Sequence, residues 1–304
     1  MTKCKTCGKE NGDGSVYCFN CGAPVSPIQA IPNAVTPYEN SLPATDERRA
    51  PVAPTAMPRA PTGIDGLDAM ISGGIPRGRV VLVAGGPGTG KTTMSMQFLV
   101  NGCMRYGENG VFVSLDEPLK KILDDTAALG WELKGLIDQK KITFIESPTL
   151  NDTKFSIEEL LTTIKKAADA SRAQRISLDP LTYISIHYPD IVARRRAVMN
   201  LFNALTETGA TCMVTNEMRG EAERAILLEE YLADGVFRLQ SSQVERGRVR
   251  TIAIEKMRGT LMDDQVRVYV IEKNGISVIS ETDIFTYAAR LFARRISKEK
   301  APEK

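Results

Sequence analysis

The 304-residue chain contains a single histidine, His187. A Ser-His-Asp hydrolase would have to rest on that one residue, and a catalytic metal site built from several imidazoles is excluded. No uninterrupted apolar run of about 18 residues occurs, so no transmembrane helix is expected. The opening Met1-Thr2-Lys3-Cys4 lacks the apolar segment of a secretory signal, and a cytosolic location is expected. Charge of one sign is also missing: 39 Lys and Arg face 37 Asp and Glu, a net +2. That balance gives no general footprint for nucleic acid and leaves a local one open. Apolar residues are not short, at 42%. At roughly 150 residues per domain, about two domains are expected.

Composition divides the chain into zones. Residues 1–22 hold four of the six cysteines, and residues 23–61 hold nine of the sixteen prolines. Proline at that density prevents helices and central strands, so 23–61 reads as a semi-rigid linker, with an ordered wrap as the alternative. Residues 62–280 alternate short β-branched runs with helical patterns, which implies an α/β fold: a mostly parallel sheet with helices on both faces. Examples are Arg79–Ala84, Val111–Leu115, Ile142–Ile145, Ile176–Leu178 and Thr211–Thr215. After Asp234 consecutive strands are expected, with a turn at Asn274-Gly275, and residues 281–304 read as a terminal helix and basic tail. Only one phosphate-loop pattern is present.

Cys4-x-x-Cys7 and Cys18-x-x-Cys21 stand ten residues apart, each pair followed by glycine. Four thiolates at this spacing suit tetrahedral Zn²⁺ with no position left for water, a structural site. So small a module has almost no core, and metal binding would supply most of its folding free energy. Disulfides or a redox pair are the alternatives. The module resembles zinc ribbons, which bind protein or nucleic acid or only pack. Cys103 and Cys212 sit in apolar surroundings and are expected to be buried small hydrophobes.

Gly85-Gly86-Pro87-Gly88-Thr89-Gly90-Lys91-Thr92 matches G-x-x-x-x-G-K-[ST] between a predicted strand and a predicted helix. Glycines let backbone N–H groups converge on phosphate oxygens, and the helix N-terminus adds its dipole. Gly86 to Thr93 are therefore the expected ATP contacts: Gly86, Pro87, Gly88, Thr89, Gly90, Lys91, Thr92 and Thr93. Lys91 would reach the β/γ oxygens and Thr92 would place its hydroxyl on Mg²⁺. Arg175–Asp179 reads as a strand ending in an acid, and Asp179 would hold Mg²⁺ through water; a helix N-cap acid is the alternative. The group that polarises the attacking water is sought in Asp116 and Glu117, with Glu117 favoured as base.

These residues together resemble the KaiC/RadA branch of the RecA-like ATPases, the KaiC-like proteins most closely, over about residues 60–280. The resemblance is carried by Thr62–Asp68, Ser72–Gly78, Val113–Pro118, Leu129–Leu133, Glu229–Val236 and, most specifically, Lys256-Met257-Arg258-Gly259-Thr260. It implies a RecA-like P-loop core in which Asp116-Glu117 takes the place of a catalytic acidic pair, usually Glu-Glu. It also implies that the Lys256–Thr260 loop, with Lys256, Met257, Arg258 and Thr260, reaches the nucleotide of a neighbouring subunit. Lys256 and Arg258 would then meet the γ-phosphate in trans. A solvated basic turn is the reading without the resemblance. A composite site of this kind implies a ring, expected to be a hexamer. The chain departs from the pattern after Thr260, with Met262 and no Pro-Phe pair.

The expected function is thus a Mg-dependent ATPase working in signalling or assembly. The alternatives are a RadA-like DNA recombination ATPase and an ATP-binding switch with little turnover. Against the former, K-M-R-G-T stands where RadA carries K-N-R-F-G. Arg194-Arg195-Arg196, Arg219 and Arg224 are candidates for a pore, or for a solvated face. The zinc module and the terminal helix are the surfaces open to a protein partner.

Overall fold

A computed structural model describes residues 2–12, 18, 20, 25, 57–146, 156–218, 228–244 and 247–279. The chain divides into two compact units, Met1–Thr55 and Ala56–Lys304. In the small unit β1 (Thr2–Lys3) pairs antiparallel with β2 (Glu10–Asn11). Cys4 N donates to Lys9 O at 2.8 Å and Gly8 N to Cys4 O at 2.9 Å, which closes a tight knuckle. Gly8 has φ 72°, a left-handed conformation that costs glycine nothing.

The large unit runs β3 (Arg59–Ala60), α1 (Leu67–Met70), β4 (Ile75–Pro76), β5 (Val80–Gly85), α2 (Lys91–Tyr106), β6 (Gly110–Ser114), α3 (Leu119–Ala128), α4 (Leu133–Asp138), β7 (Ile142–Glu146), α5 (Ile157–Ser171), β8 (Arg175–Asp179), α6 (Thr182–His187), α7 (Ile191–Glu207), β9 (Thr211–Glu217), α8 (Leu228–Leu232), β10 (Gly235–Val244), β11 (Gly247–Met257), β12 (Arg267–Glu272) and β13 (Gly275–Ile279). Nine strands form one sheet in the order β13-β12-β11-β10-β5-β9-β8-β6-β7. The six from β10 to β7 are parallel, and β11, β12 and β13 extend it antiparallel.

The unbroken apolar runs follow from burial on both faces. Along β5, Val81 and Val83 join a core with Met94 and Phe98 of α2, Ile122 of α3 and Leu133 of α4. Val80 and Leu82 join the opposite core with Ile164 of α5, Ile184 of α6 and Leu201 of α7. Phe112 and Val111 of β6 divide the same way, so one alternating strand serves two layers. Cys103 and Cys212 are buried, as expected. Asn274 and Gly275 both have positive φ, 81° and 104°, at the β12–β13 turn.

The linker boundary is corrected at its end. Arg59 and Ala60, placed in a linker running to residue 61, pair with Pro76 and Ile75, and Ala60 is completely buried. The flanking prolines do not prevent this, because Pro58 only accepts, from Arg77 N at 2.9 Å, and the strand is a two-residue edge. The terminal helix expected after residue 281 lies outside the described residues.

Candidate nucleotide site

Strand β5 ends at Gly85, and the chain turns back into α2 with Gly88 at φ 72° and Gly90 at φ 89°. A Cβ on Gly90 would also come within 2.6 Å of Ile271 Cδ1, whose side-chain end would have to give way, so it is the left-handed backbone that calls for glycine. The loop is braced from inside: Thr89 Oγ1 donates to Gly86 O at 2.8 Å, and the buried Tyr269 hydroxyl of β12 donates to Thr89 O. The N-cap of α2 is Gly90, which has no side chain to satisfy the first amides. Those N–H groups and the dipole of a 16-residue helix are left for an anion. Lys91 is buried, and its Nζ donates to Gly86 O at 3.1 Å. Burial lowers its pKa, while Glu217, Asp179 and Asp116 work against that shift. Gly86, Pro87 and Thr89 line a cleft of about 340 Å³ with Met218, Leu239, Gln240, Ser241, Ser242 and Arg248.

Asp179 closes β8 as expected. Thr92 Oγ1 donates to its Oδ2 at 2.6 Å, and the Thr215 hydroxyl donates to its Oδ1. Burial pushes the carboxyl pKa up, against the two hydroxyls and Lys91, which hold it down. A buried carboxylate beside a threonine hydroxyl on the first turn of α2 is the oxygen pair that Mg²⁺ takes, so these residues fit the ion.

The acidic pair follows β6, and its members face different neighbours. Glu117 is tied to Lys121 one turn into α3, and its main chain is held by Ser114, whose Oγ donates to Glu117 O at 2.6 Å. Asp116 is exposed at the mouth of the strand ends, with part of its carboxyl's surroundings formed by protein. Partial desolvation first, then the charges of Asp179, Glu117 and Glu217, lift its carboxyl to about 6. The expectation that favoured Glu117 as base therefore meets a competing partner: its carboxylate already has a cation in Lys121, while the Asp116 carboxyl is raised by its acidic neighbours.

Three residues at this site carried no signal in any contiguous motif. Glu217 ends β9 in register with Gly85. Arg250 of β11 donates from Nε to Gly88 O at 3.3 Å. Tyr269 comes from β12. The pattern that would have exposed Glu217 is an acid at or just after the end of each of three strands: Asp116, Asp179 and Glu217.

The basic turn lies elsewhere. Met257 stands across from Gly235, and Gly235 across from Val81, four residues before Gly85. At roughly 3.3 Å per residue that is ~13 Å back along the sheet from the phosphate loop. Lys256 Nζ donates to Glu230, Tyr231 and Ala233 carbonyls at 3.1, 3.0 and 2.6 Å, at the C-terminal end of α8. Arg258 contacts Tyr231 O at 3.4 Å and Asp234 at 3.7 Å. Met257, expected by resemblance to reach a neighbour's nucleotide, buries its side chain in the core of its own chain, because β11 continues that far. Thr260 Oγ1 accepts from Arg59 Nη1 at 3.1 Å.

A KaiC ATPase family profile matches residues 60–283. The chain belongs to the KaiC family of ATPases. Curated KaiC relatives include the circadian clock protein KaiC2 of Synechocystis, 35% identical over 74% of this chain and 41% of its own. KaiC3 of Synechocystis is 37% identical over 72% of this chain and 45% of its own. The circadian clock oscillator protein KaiC of Parathermosynechococcus lividus is 32% identical over 81% and 47%. The chain thus spans less than half the length of these relatives. A crystal structure of a KaiC-like protein from Pyrococcus horikoshii superposes with a TM-score of 0.67 at 32% identity, covering 73% of this chain and 99% of that one. The RecA-like P-loop core is therefore that of the KaiC family.

A zinc-ribbon domain profile matches residues 3–25. The Sγ atoms of Cys4, Cys7 and Cys18 all lie within 4.8 Å of one another. Cys7 and Cys18 Sγ are 3.6 Å apart, far beyond the ~2.05 Å of a disulfide and close to the edge of a Zn–S tetrahedron. The three thiols fit the ion; Cys21 lies outside the described residues. Among the described residues no helix is long and apolar enough to cross a membrane.

Proposed function

We propose that the chain is a Mg-dependent ATPase that works as a ring of its own copies, six by family resemblance, with each site completed by a neighbour. The observation that carries this reading is the separation of the two charged elements. The phosphate loop crowns one end of β5, and the Lys256–Arg258 turn lies about four residues back along the same sheet. That turn serves no phosphate of its own chain, whereas a head-to-tail contact brings it to the next chain's site.

Within the site, the amides of Gly86–Thr92 cradle the phosphates and Lys91 meets the β/γ oxygens. Thr92 and Asp179 hold Mg²⁺, which supplies charge neutralisation along the phosphates. Asp116 accepts the proton of the attacking water as its oxygen bonds to the γ-phosphorus and the bond to the β–γ bridging oxygen breaks. Glu117, anchored by Lys121, fixes the turn that carries Asp116. Arg258 and Lys256 of the adjoining copy stabilise charge on the transferred group. The cysteine quartet holds a structural Zn²⁺, and reduced thiolates in that number fit a cytosolic protein.

Phosphate release and particle size, measured together against protein concentration with Mg-ATP, test this reading. Turnover should rise with assembly and vanish in Lys91→Ala. A monomer that hydrolyses ATP at the same specific rate at every concentration would overturn it, and tight binding without turnover would leave a switch.

A further inference from the structure

Glu217 has no role in the proposed mechanism, yet its main chain is fixed beside the phosphate loop, in register with Gly85. Strand β9 lies between β5, which leads into the phosphate loop, and β8, which carries Asp179. Side chains along β9 alternate. Met213 enters the α2-side core and Val214 the opposite one. Thr215 returns to the α2 side to bond Asp179, and Asn216 turns away to accept from Thr182 Oγ1 at 3.0 Å. Glu217 is next in the alternation, so it lies on the α2 side, one pleat repeat beyond the contact to Asp179. The backbone is fixed there: Glu217 N donates to Thr182 Oγ1 at 2.8 Å, and Met218 N to Gly85 O at 3.1 Å. Burial lowers the pKa of the Lys91 ammonium, and the carboxylates of Glu217, Asp179 and Asp116 oppose that shift.

We propose that Glu217 is a positioning residue that balances the Lys91 ammonium when no γ-phosphate is present and repels the γ-phosphate when it arrives, so that it sets how far the site prefers a nucleoside triphosphate over a diphosphate. This inference rests on the nucleotide reading of the site. The physics is competition for one cation. A γ-phosphate brings additional negative charge to Lys91, on which the Glu217 carboxylate already acts. A diphosphate seats its terminal group on the loop amides and meets that carboxylate less directly. Removing the charge of Glu217 therefore favours the triphosphate more than the diphosphate.

The test is calorimetric titration of the full chain with ADP and with a non-hydrolysable ATP analogue, both with Mg²⁺, for wild type, Glu217→Gln and Glu217→Asp. At a protein-surface dielectric the Gln variant should bind the analogue about tenfold more tightly, and ADP by at most about threefold. The Asp variant should stay close to wild type in its preference, and a merely structural role would not move that ratio. Melting temperatures identify any variant that fails to fold; if Glu217→Gln does, Glu217→Ala, which also removes the charge, takes its place and must shift the ratio toward the analogue. An equal change for both nucleotides, or weaker analogue binding in Glu217→Gln, would overturn the inference while leaving the site intact. A wild-type chain that binds neither nucleotide would overturn the nucleotide reading and this inference together.

Discussion

The two ends of strand β5 solve opposite problems. At the end that carries the phosphate loop, positive charge is gathered for a ligand: uncapped amides, a helix dipole, and a lysine whose strongest partners are acids on neighbouring strands. At the other end, the positive charge of Lys256 is spent within the chain on three carbonyls, and Arg258 leans on Asp234. One end keeps its cations, Lys91, Arg248 and Arg250, around an open cleft, and the other folds its cations onto carbonyls and an acid of its own chain. The difference is what the proposed assembly rests on: the phosphate loop and the basic turn of one copy lie at opposite ends of β5, about four residues apart along the strand.

The sharpest way to break this comparison is complementation. Arg258→Ala should lose about 10³-fold in turnover, the scale of a missing arginine finger, while still binding ATP. Lys91→Ala should lose binding and turnover but keep an intact basic turn. Mixed rings should regain activity, and random assembly sets the ceiling at about a quarter of wild-type sites. Activity measured against mixing ratio reads this directly. If mixed rings form and remain inactive, the two ends do not meet across subunits.

How much of this was legible in the sequence depended on whether chemistry was contiguous. Gly85–Thr92, Asp179 and the strand–helix alternation were read from the chain because each is a local pattern with a local cause. The antiparallel extension after Asp234 was read as well, because β11 to β13 follow one another with a glycine turn. Glu217, Arg250 and Tyr269 were not. Each reaches the phosphate loop through strand register, between segments up to 180 residues apart, as Tyr269 and Thr89 are. Ala60 reads as linker in the sequence because prolines flank it and the edge ladder to Ile75 carries no sequence signal. The choice between Asp116 and Glu117 also lay beyond the sequence. Alternation says that adjacent acids diverge, and only the position of Lys121 on α3 decides which one is occupied.

That choice gives the second prediction, of intermediate size. Asp116→Asn should cost about 10²-fold or more in kcat, whereas Glu117→Gln should cost less and should lower thermal stability through the lost Lys121 pair. The sign of the pH effect follows from the direction of the shift. The base works deprotonated, and the carboxyl is raised to about 6 in the free site. Because kcat/KM reports the free enzyme, it should climb tenfold per unit below about pH 6 and level off above it. In Asp116→Asn that limb should disappear from the residual activity. A wild-type limb that survives in Asp116→Asn and is lost in Glu117→Gln would return the base to Glu117.

The smallest effect separates what a chain does for its own phosphate loop from what it does for its neighbour. Tyr269 belongs to the antiparallel strands that also carry the basic turn, yet its hydroxyl points the other way, into Thr89 of its own loop. Tyr269→Phe keeps the ring in the core and removes only that bond, leaving a buried carbonyl with one partner fewer. The expected loss is about 1 kcal/mol of unfolding free energy. Because Thr89 Oγ1 still braces the loop through Gly86 O, the loop should loosen without collapsing. KM for ATP should rise a few-fold with kcat nearly constant, since the bond is made equally in the ground and transition states. Mixing with Lys91→Ala should not rescue it, because the defect stays in the subunit that binds the nucleotide. Rescue by mixing would mean that the late strands act on the phosphate loop only through the adjoining copy, and the division between the two ends would fail.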